Sequence, residues 1–230
     1  MITAIRKKLL QHQKYSPTDA KRFFKTGVGE YSEHDQFLGI TTPALRKIAQ
    51  ANHLLKINDI QQLISSKFNE ERMLALFILI NRYQKNETDR QEIYDFYLIN
   101  IKQVNNWNLV DASAHYIIGQ HIFNKHKAIL TDLAKSKVMW ERRISIVATW
   151  YFIRQNQFSQ TIKIANLLLN DQHDLIHKAV GWMLREMGKR DQKFLMNFLK
   201  NKASIMPRTM LRYAIENFPA NTRKKYLLQR

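Results

Sequence analysis

Apolar positions recur with the 3.6-residue period of a helix through most of the chain, and only 6 Gly and 4 Pro interrupt it. The pattern predicts an all-α protein. Residues 1–10 form a basic amphipathic stretch, read as a first helix; it lacks the apolar core and cleavage site of a secretory leader. Ser16-Pro17-Thr18-Asp19 reads as a helix start, with Ser16 as cap and Pro17 in the first turn. Gly27, Gly29 and the polar run 31–36 make a loop. It leads through Phe37-Leu38-Gly39-Ile40 to a helix capped at Thr41 or Thr42, with Pro43 in its first turn.

From there the pattern repeats. Long helices are expected to begin near Glu70, Trp107, Trp140, Leu175 and Pro207, at spacings of 37, 33, 35 and 32 residues. Shorter helices precede them near 58–66, 89–103, 127–135, 160–169 and 192–200. A helix pair repeated at this interval is the signature of a helical-repeat solenoid. The expectation is a single domain over residues 1–230, with a concave surface lined by the second helices. That surface would be basic and suited to a duplex.

One stretch stands out, Asn105-Asn106-Trp107-Asn108-Leu109-Val110-Asp111-Ala112-Ser113-Ala114. In a helix Val110, Ala114, Ile117 and His121 fall in one apolar stripe, with Trp107 and Asp111 together at its edge, one turn apart. Two readings of Asp111 follow from the residues alone. It caps a helix start while Trp107 packs in a core, or it is a carboxylate deliberately kept beside an indole at the rim of the stripe.

Charge changes the picture. With 37 Lys+Arg against 19 Asp+Glu the net charge is +18, which favours a polyanionic partner, nucleic acid before an anionic membrane surface. The absence of cysteine excludes disulfides, thiolate catalysis, Cys-ligated zinc and iron–sulfur clusters. No apolar run approaches the ~18 residues of a membrane span, so a cytoplasmic, nucleoid-associated protein is expected.

The later second helices present cations. Ile176, Val180, Met183 and Met187 form the apolar stripe of one, and Lys178, Trp182, Arg185 and Lys189 a second stripe roughly 160° away. An indole among three cations suits stacking and phosphate binding; cover by a neighbouring helix is the other reading. Trp140-Glu141-Arg142-Arg143 places Arg143 where it can reach toward the concave face, with Glu141 as the default ion-pair partner of either arginine. Arg208 again puts a cation at a helix start, and residues 222–226 read as a solvated basic end. There is no Gly-rich phosphate loop and no HExxH motif. His115 and His121 are badly spaced for a two-ligand site, so neither metal nor cofactor is expected. Ser113, His115 and Asp111 on one helix cannot take the geometry of a triad.

Four segments resemble the AlkD-type DNA alkylation-repair glycosylases, which are built from HEAT-like repeats. They are residues 36–40 with Pro43 and Arg46; Asn106-Trp107-Asn108-Leu109-Val110-Asp111; Trp140-Glu141-Arg142-Arg143; and Lys178-Ala179-Val180-Gly181-Trp182-Met183-Leu184-Arg185-Glu186. They occur in the family's order over roughly residues 20–215. The resemblance implies that Trp107 and Trp182 line a catalytic cleft, that Asp111 is the catalytic carboxylate, and that Arg143 contacts DNA near the lesion. Lys178 and Arg185 are then backbone contacts, and Arg46 and Lys189 are named with them as DNA-binding residues. It also implies a substrate, cationic N3- or N7-alkylated purines in duplex DNA, handled without inserting the base into a protein pocket, unlike glycosylases in general. Relatives in the wider fold that lack the acid or an indole are not expected to cleave; this chain keeps all three residues.

The chemistry of those residues agrees. A cationic alkylpurine is already a good leaving group, so the barrier lies in positive charge developing on the sugar. A carboxylate held there stabilises it and orients water, and indole faces attract cations. A monomeric, monofunctional glycosylase without lyase chemistry is the expectation. A non-catalytic HEAT-like nucleic-acid-binding module and a protein-interaction scaffold stand beside it.

Overall fold

The computed structural model describes residues 2–228; Met1, at the head of the expected first helix, lies outside them. Among the described residues there are thirteen α-helices, three shorter helical turns, two isolated bridges and no strand. The chain divides into two compact units, Met1–Ser113 and Ala114–Arg230.

The first unit opens with α1 (Ile2–Gln11), which buries Ile2, Ile5 and Leu9 on one stripe. Ser16 forms the expected cap: its hydroxyl accepts from Thr18 N–H, and its own N–H donates to the Asp19 carboxylate at 3.1 Å. The segment it starts, Pro17–Arg22, winds as a 3-10 helix. Next come α2 (Thr42–Ala51), α3 (Ile57–Ile64), α4 (Asn69–Lys85), α5 (Arg90–Ile99) with a 3-10 turn at Ile101–Gln103, and α6 (Trp107–Ala114). Thr41 occupies the cap position of α2 without a side-chain cap bond, and Pro43 sits in the first turn. Both α2 and α3 pack on α4, whose residues 69–80 are all buried. Truncating a fully buried leucine of α4, such as Leu74, removes the ~2–5 kcal/mol typical of such sites.

The second unit takes the last residue of α6 into a π turn, His115–Gly119. It continues with α7 (Ala128–Ala134), α8 (Met139–Arg154), α9 (Ser159–Leu167), α10 (Asp174–Arg190), α11 (Gln192–Lys202), α12 (Arg208–Ala214) and α13 (Ala220–Leu228). The π turn packs on α8, α8 on α10 and α10 on α12, while α7 contacts α9. The second helices of successive pairs thus form one layer and the first helices another, which is the packing of a helical repeat. Gly181 makes one of these seams possible, because a Cβ there would meet the Met210 carbonyl oxygen and Tyr213 Cβ at 2.5 Å each. No described helix is long and apolar enough to cross a membrane.

The second helices begin at Asn69, Trp107, Met139, Asp174 and Arg208, within one residue of the positions the repeat predicts. The apolar stripe through Val110, Ala114, Ile117 and His121 is buried throughout, although it passes through the π turn.

Candidate active site

Helix α6 starts where it does because Asn106, fully buried, holds its first turn. The Asn106 side-chain oxygen accepts the Trp107 N–H at 2.7 Å, and its backbone carbonyl accepts from Leu109 and Val110 at 3.1 Å each. Its amide donates to Ser32 Oγ at 2.7 Å and to the Asp35 carboxylate at 2.5 Å. Asp35 has no exposed side-chain surface and also takes bonds from Arg72, from Ser32 Oγ at 2.9 Å and from Asn69 at 3.1 Å. Asn69 exchanges a further bond with Asn108 at 2.7 Å. The polar run 31–36 is therefore a loop, as its composition suggests, but two of its members are turned inward to anchor α6. A buried charge with every lone pair engaged is tolerated; one left alone is not.

Glu70, in the first turn of α4, anchors a second loop. Its carboxylate accepts the N–H of Leu38 and of Gly39 at 2.9 Å each, and of Ile40 at 3.4 Å. Gly39 has φ +75°, which a side chain would disfavour, so glycine is required where the loop bends over the carboxylate. Burial pushes the Glu70 carboxyl up, with the backbone donors pulling the other way. Arg6 meets the neighbouring Glu71 with two bonds of 2.9 Å, tying α1 to α4.

These anchors leave an aromatic column facing a cavity of about 530 Å³. Phe24 stacks on Phe37 (centroids 4.7 Å apart) and on Trp107 (5.2 Å), both at 24° between planes. Tyr15, Glu70 and Met73 line the same cavity. On α6, Trp107 and Asp111 are both partly exposed, one turn apart, while Leu109, Val110 and Ser113 are buried. No acid lies in the first turn of α6. Asp111 sits too far along the helix to cap it, and Asn106 does that work. The cap reading of Asp111 therefore fails on geometry. Sequence reasoning missed Phe24 and the anchoring role of Asn106. An Asn directly before a helix was the available signal for the second; nothing local marked the first.

In the second unit, the apolar stripe of α10 is completely buried and Trp182 lies on the other side, partly exposed. It is not without cover: its ring meets Trp150 of α8 edge-on, 5.0 Å between centroids. The cations expected around it are matched to carboxylates. Lys178 pairs with Asp174 at 2.7 Å, Lys189 with Glu186 at 2.7 Å, and Arg185 with Glu216. Arg143 departs from the expectation of a surface contact. It is 5 % exposed, and its guanidinium donates to the Leu175 carbonyl, inside the α8–α10 seam. Arg142 pairs with Asp171 at 2.6 Å, not with Glu141. In the first unit, Arg46 lies exposed on α2 over the Phe77 ring, 4.2 Å from its centroid. Among the described residues no three His, Asp or Glu side chains gather as a metal site.

The sequence profile of a family described as "DNA alkylation repair enzyme" matches residues 5–218. A solved structure described as a "predicted DNA alkylation repair enzyme" from Enterococcus faecalis superposes with a TM-score of 0.66. The alignment covers 92 % of this chain and 99 % of that one at 17 % identity, a likeness of fold. No curated protein matches the chain.

Proposed function

The chain belongs to the DNA alkylation repair enzyme family, and we propose that it is a monofunctional DNA glycosylase, acting as a monomer on duplex DNA. Its substrates in this reading are purines carrying a positive charge through alkylation at N3 or N7. The observation that carries the reading is the presentation of α6: Trp107 and Asp111 stand one turn apart and partly exposed, on a helix whose start is fixed by a buried network.

The departing base needs no general acid, because its positive charge is neutralised as the glycosidic bond breaks. The charge that must be stabilised develops on the sugar. Asp111 supplies a fixed negative charge for it and orients the water that attacks the sugar carbon. The Trp107 indole, held flat by Phe24, attracts the cationic base and excludes solvent. Trp182 offers an indole on the second unit. Lys178, Arg185, Lys189 and Arg46 are assigned to backbone phosphates; for the first three this means exchanging a partly exposed carboxylate for a phosphate, which costs little.

The +18 charge would serve a non-catalytic nucleic-acid-binding module equally well. An acid on the rim of α6 favours the enzyme, because binding a polyanion calls for cations alone. Incubation with N-methylated duplex DNA tests the proposal. Free methylpurines in the supernatant, with intact purines retained in the duplex, are expected; DNA binding without any base release would leave the binding module standing.

A further inference from the structure

Beside Trp182, the side chains of Lys178, Arg185 and Lys189 are each held by a carboxylate. Arg154, the last residue of α8, is placed differently. Its guanidinium carbon lies 5.3 Å from the ring centre of Tyr116, 5.5 Å from Trp150 and 5.6 Å from Tyr151. No carboxylate among the described residues pairs with it, and its side chain is partly exposed. Trp150 stands one turn before it and is the ring against which Trp182 rests.

A cation in the last turn of a helix commonly serves the terminal carbonyls. Arg154 has no such duty. The carbonyls of Tyr151 and Phe152 accept from Gln155, that of Phe152 also from Gln157, and that of Ile153 from Asn156. Ring contacts engage the face of a guanidinium and leave its in-plane N–H donors for an acceptor. An acceptor that takes two parallel N–H bonds and carries negative charge is a carboxylate or a phosphate.

We infer that Arg154 is a ligand for a backbone phosphodiester of the bound duplex, pre-oriented by the rings of Tyr116, Trp150 and Tyr151. The inference rests on the reading that the protein acts on duplex DNA. It adds a residue that neither the repeat pattern nor the cationic stripe of α10 marks. A ring-held arginine gives up no carboxylate on binding, whereas each paired cation around Trp182 must first give one up.

The test is the affinity for undamaged duplex DNA across a series of salt concentrations, for wild type, Arg154→Ala, Arg154→Gln and Arg154→Lys. Each phosphate contact contributes about 0.9 to the slope of log affinity against log salt. Arg154→Ala and Arg154→Gln should each flatten the slope by about that amount and weaken binding several-fold at low salt, while Arg154→Lys keeps the slope. Thermal melts show whether the variants are folded, and the glutamine variant keeps the reading accessible if the alanine variant is not. Unchanged slopes with a lowered melting temperature would make Arg154 a structural member of the aromatic cluster and overturn the inference alone. Loss of affinity matched by equal weakening toward inorganic phosphate as competitor would assign a free-anion site and also overturn it. A wild type with no DNA affinity at any salt would remove the glycosylase reading and this inference together.

Discussion

The Asn106 amide donates to the buried Asp35 carboxylate at 2.5 Å, across 71 residues of chain, while its side-chain oxygen holds the first N–H of α6. This one side chain couples the position of Trp107 and Asp111 to a loop that has no chemistry of its own. Asp35→Ala leaves the Arg72 guanidinium buried without its counter-charge. The expected loss is about 3–5 kcal/mol, read by urea unfolding. Asn106→Ala removes neutral and charged bonds but strands a smaller group, and about 1–3 kcal/mol is expected. Equal, small losses for the two variants would mean that the network is not what fixes the helix.

Phe24 is the middle ring of the column that ends in Trp107. Phe24→Ala deletes both stacked pairs, each worth about 0.5–1.5 kcal/mol. The expected outcome is a loss near the sum of the two and a shifted, broadened indole N–H resonance for Trp107. Phe24→Tyr should keep both. An unmoved Trp107 resonance in the alanine variant would show that the indole is held by α6 alone.

Glu70 makes stability depend on pH in an unusual direction. Burial holds its carboxyl above the ordinary 4.5, so the folded chain retains this proton at a pH where the unfolded chain has released it. The contribution is fully present below the ordinary value and is lost as pH rises through the raised one. Glu70→Gln does not titrate. The stability of wild type relative to Glu70→Gln should therefore fall between mildly acidic and neutral pH, by chemical denaturation. A difference that grows with pH would contradict the burial argument.

The ion pairs around Trp182 predict a gain of function. Asp174→Asn removes the carboxylate that pairs with Lys178, and Glu216→Gln removes the more exposed of the two that Arg185 meets, Glu186 being the other. Exposed pairs contribute roughly 0–1 kcal/mol, so stability should hardly change. Affinity for undamaged duplex should rise at low salt, and the rise should shrink as salt is added. Weaker binding in either variant would mean that the carboxylates orient these cations for DNA and do not compete with it.

The helices were legible in the sequence, because the period of apolar residues and the 32–37-residue spacing are local signals that tertiary packing reinforces. Trp107 and Asp111 were legible as a pair for the same reason, four residues apart on one helix. What holds them was not. Asp35, the Asn69–Arg72 turn and Asn106 come from three separate stretches of the chain, and although an Asn before a helix signals a cap, nothing local shows that these side chains meet in the interior. Arg143 is a second case. Its place at a helix start marks it as a reaching cation; in the fold it is 5 % exposed and one of its N–H groups donates to the Leu175 carbonyl, while the adjacent Arg142 pairs with the largely buried Asp171 carboxylate. Side-chain direction at a helix–helix contact depends on the neighbouring helix, which one segment of sequence does not contain.

Release of methylated purines from methylated duplex DNA by wild type and Asp111→Asn measures the role of the carboxylate directly. The variant keeps the size of the side chain and removes its charge. It should melt within a few degrees of wild type, bind undamaged DNA as tightly or more tightly, and release base at least about a hundredfold more slowly, the scale of one lost electrostatic stabiliser. A folded Asp111→Asn protein that releases base at the wild-type rate would contradict the assignment of Asp111 and return α6 to a purely structural role.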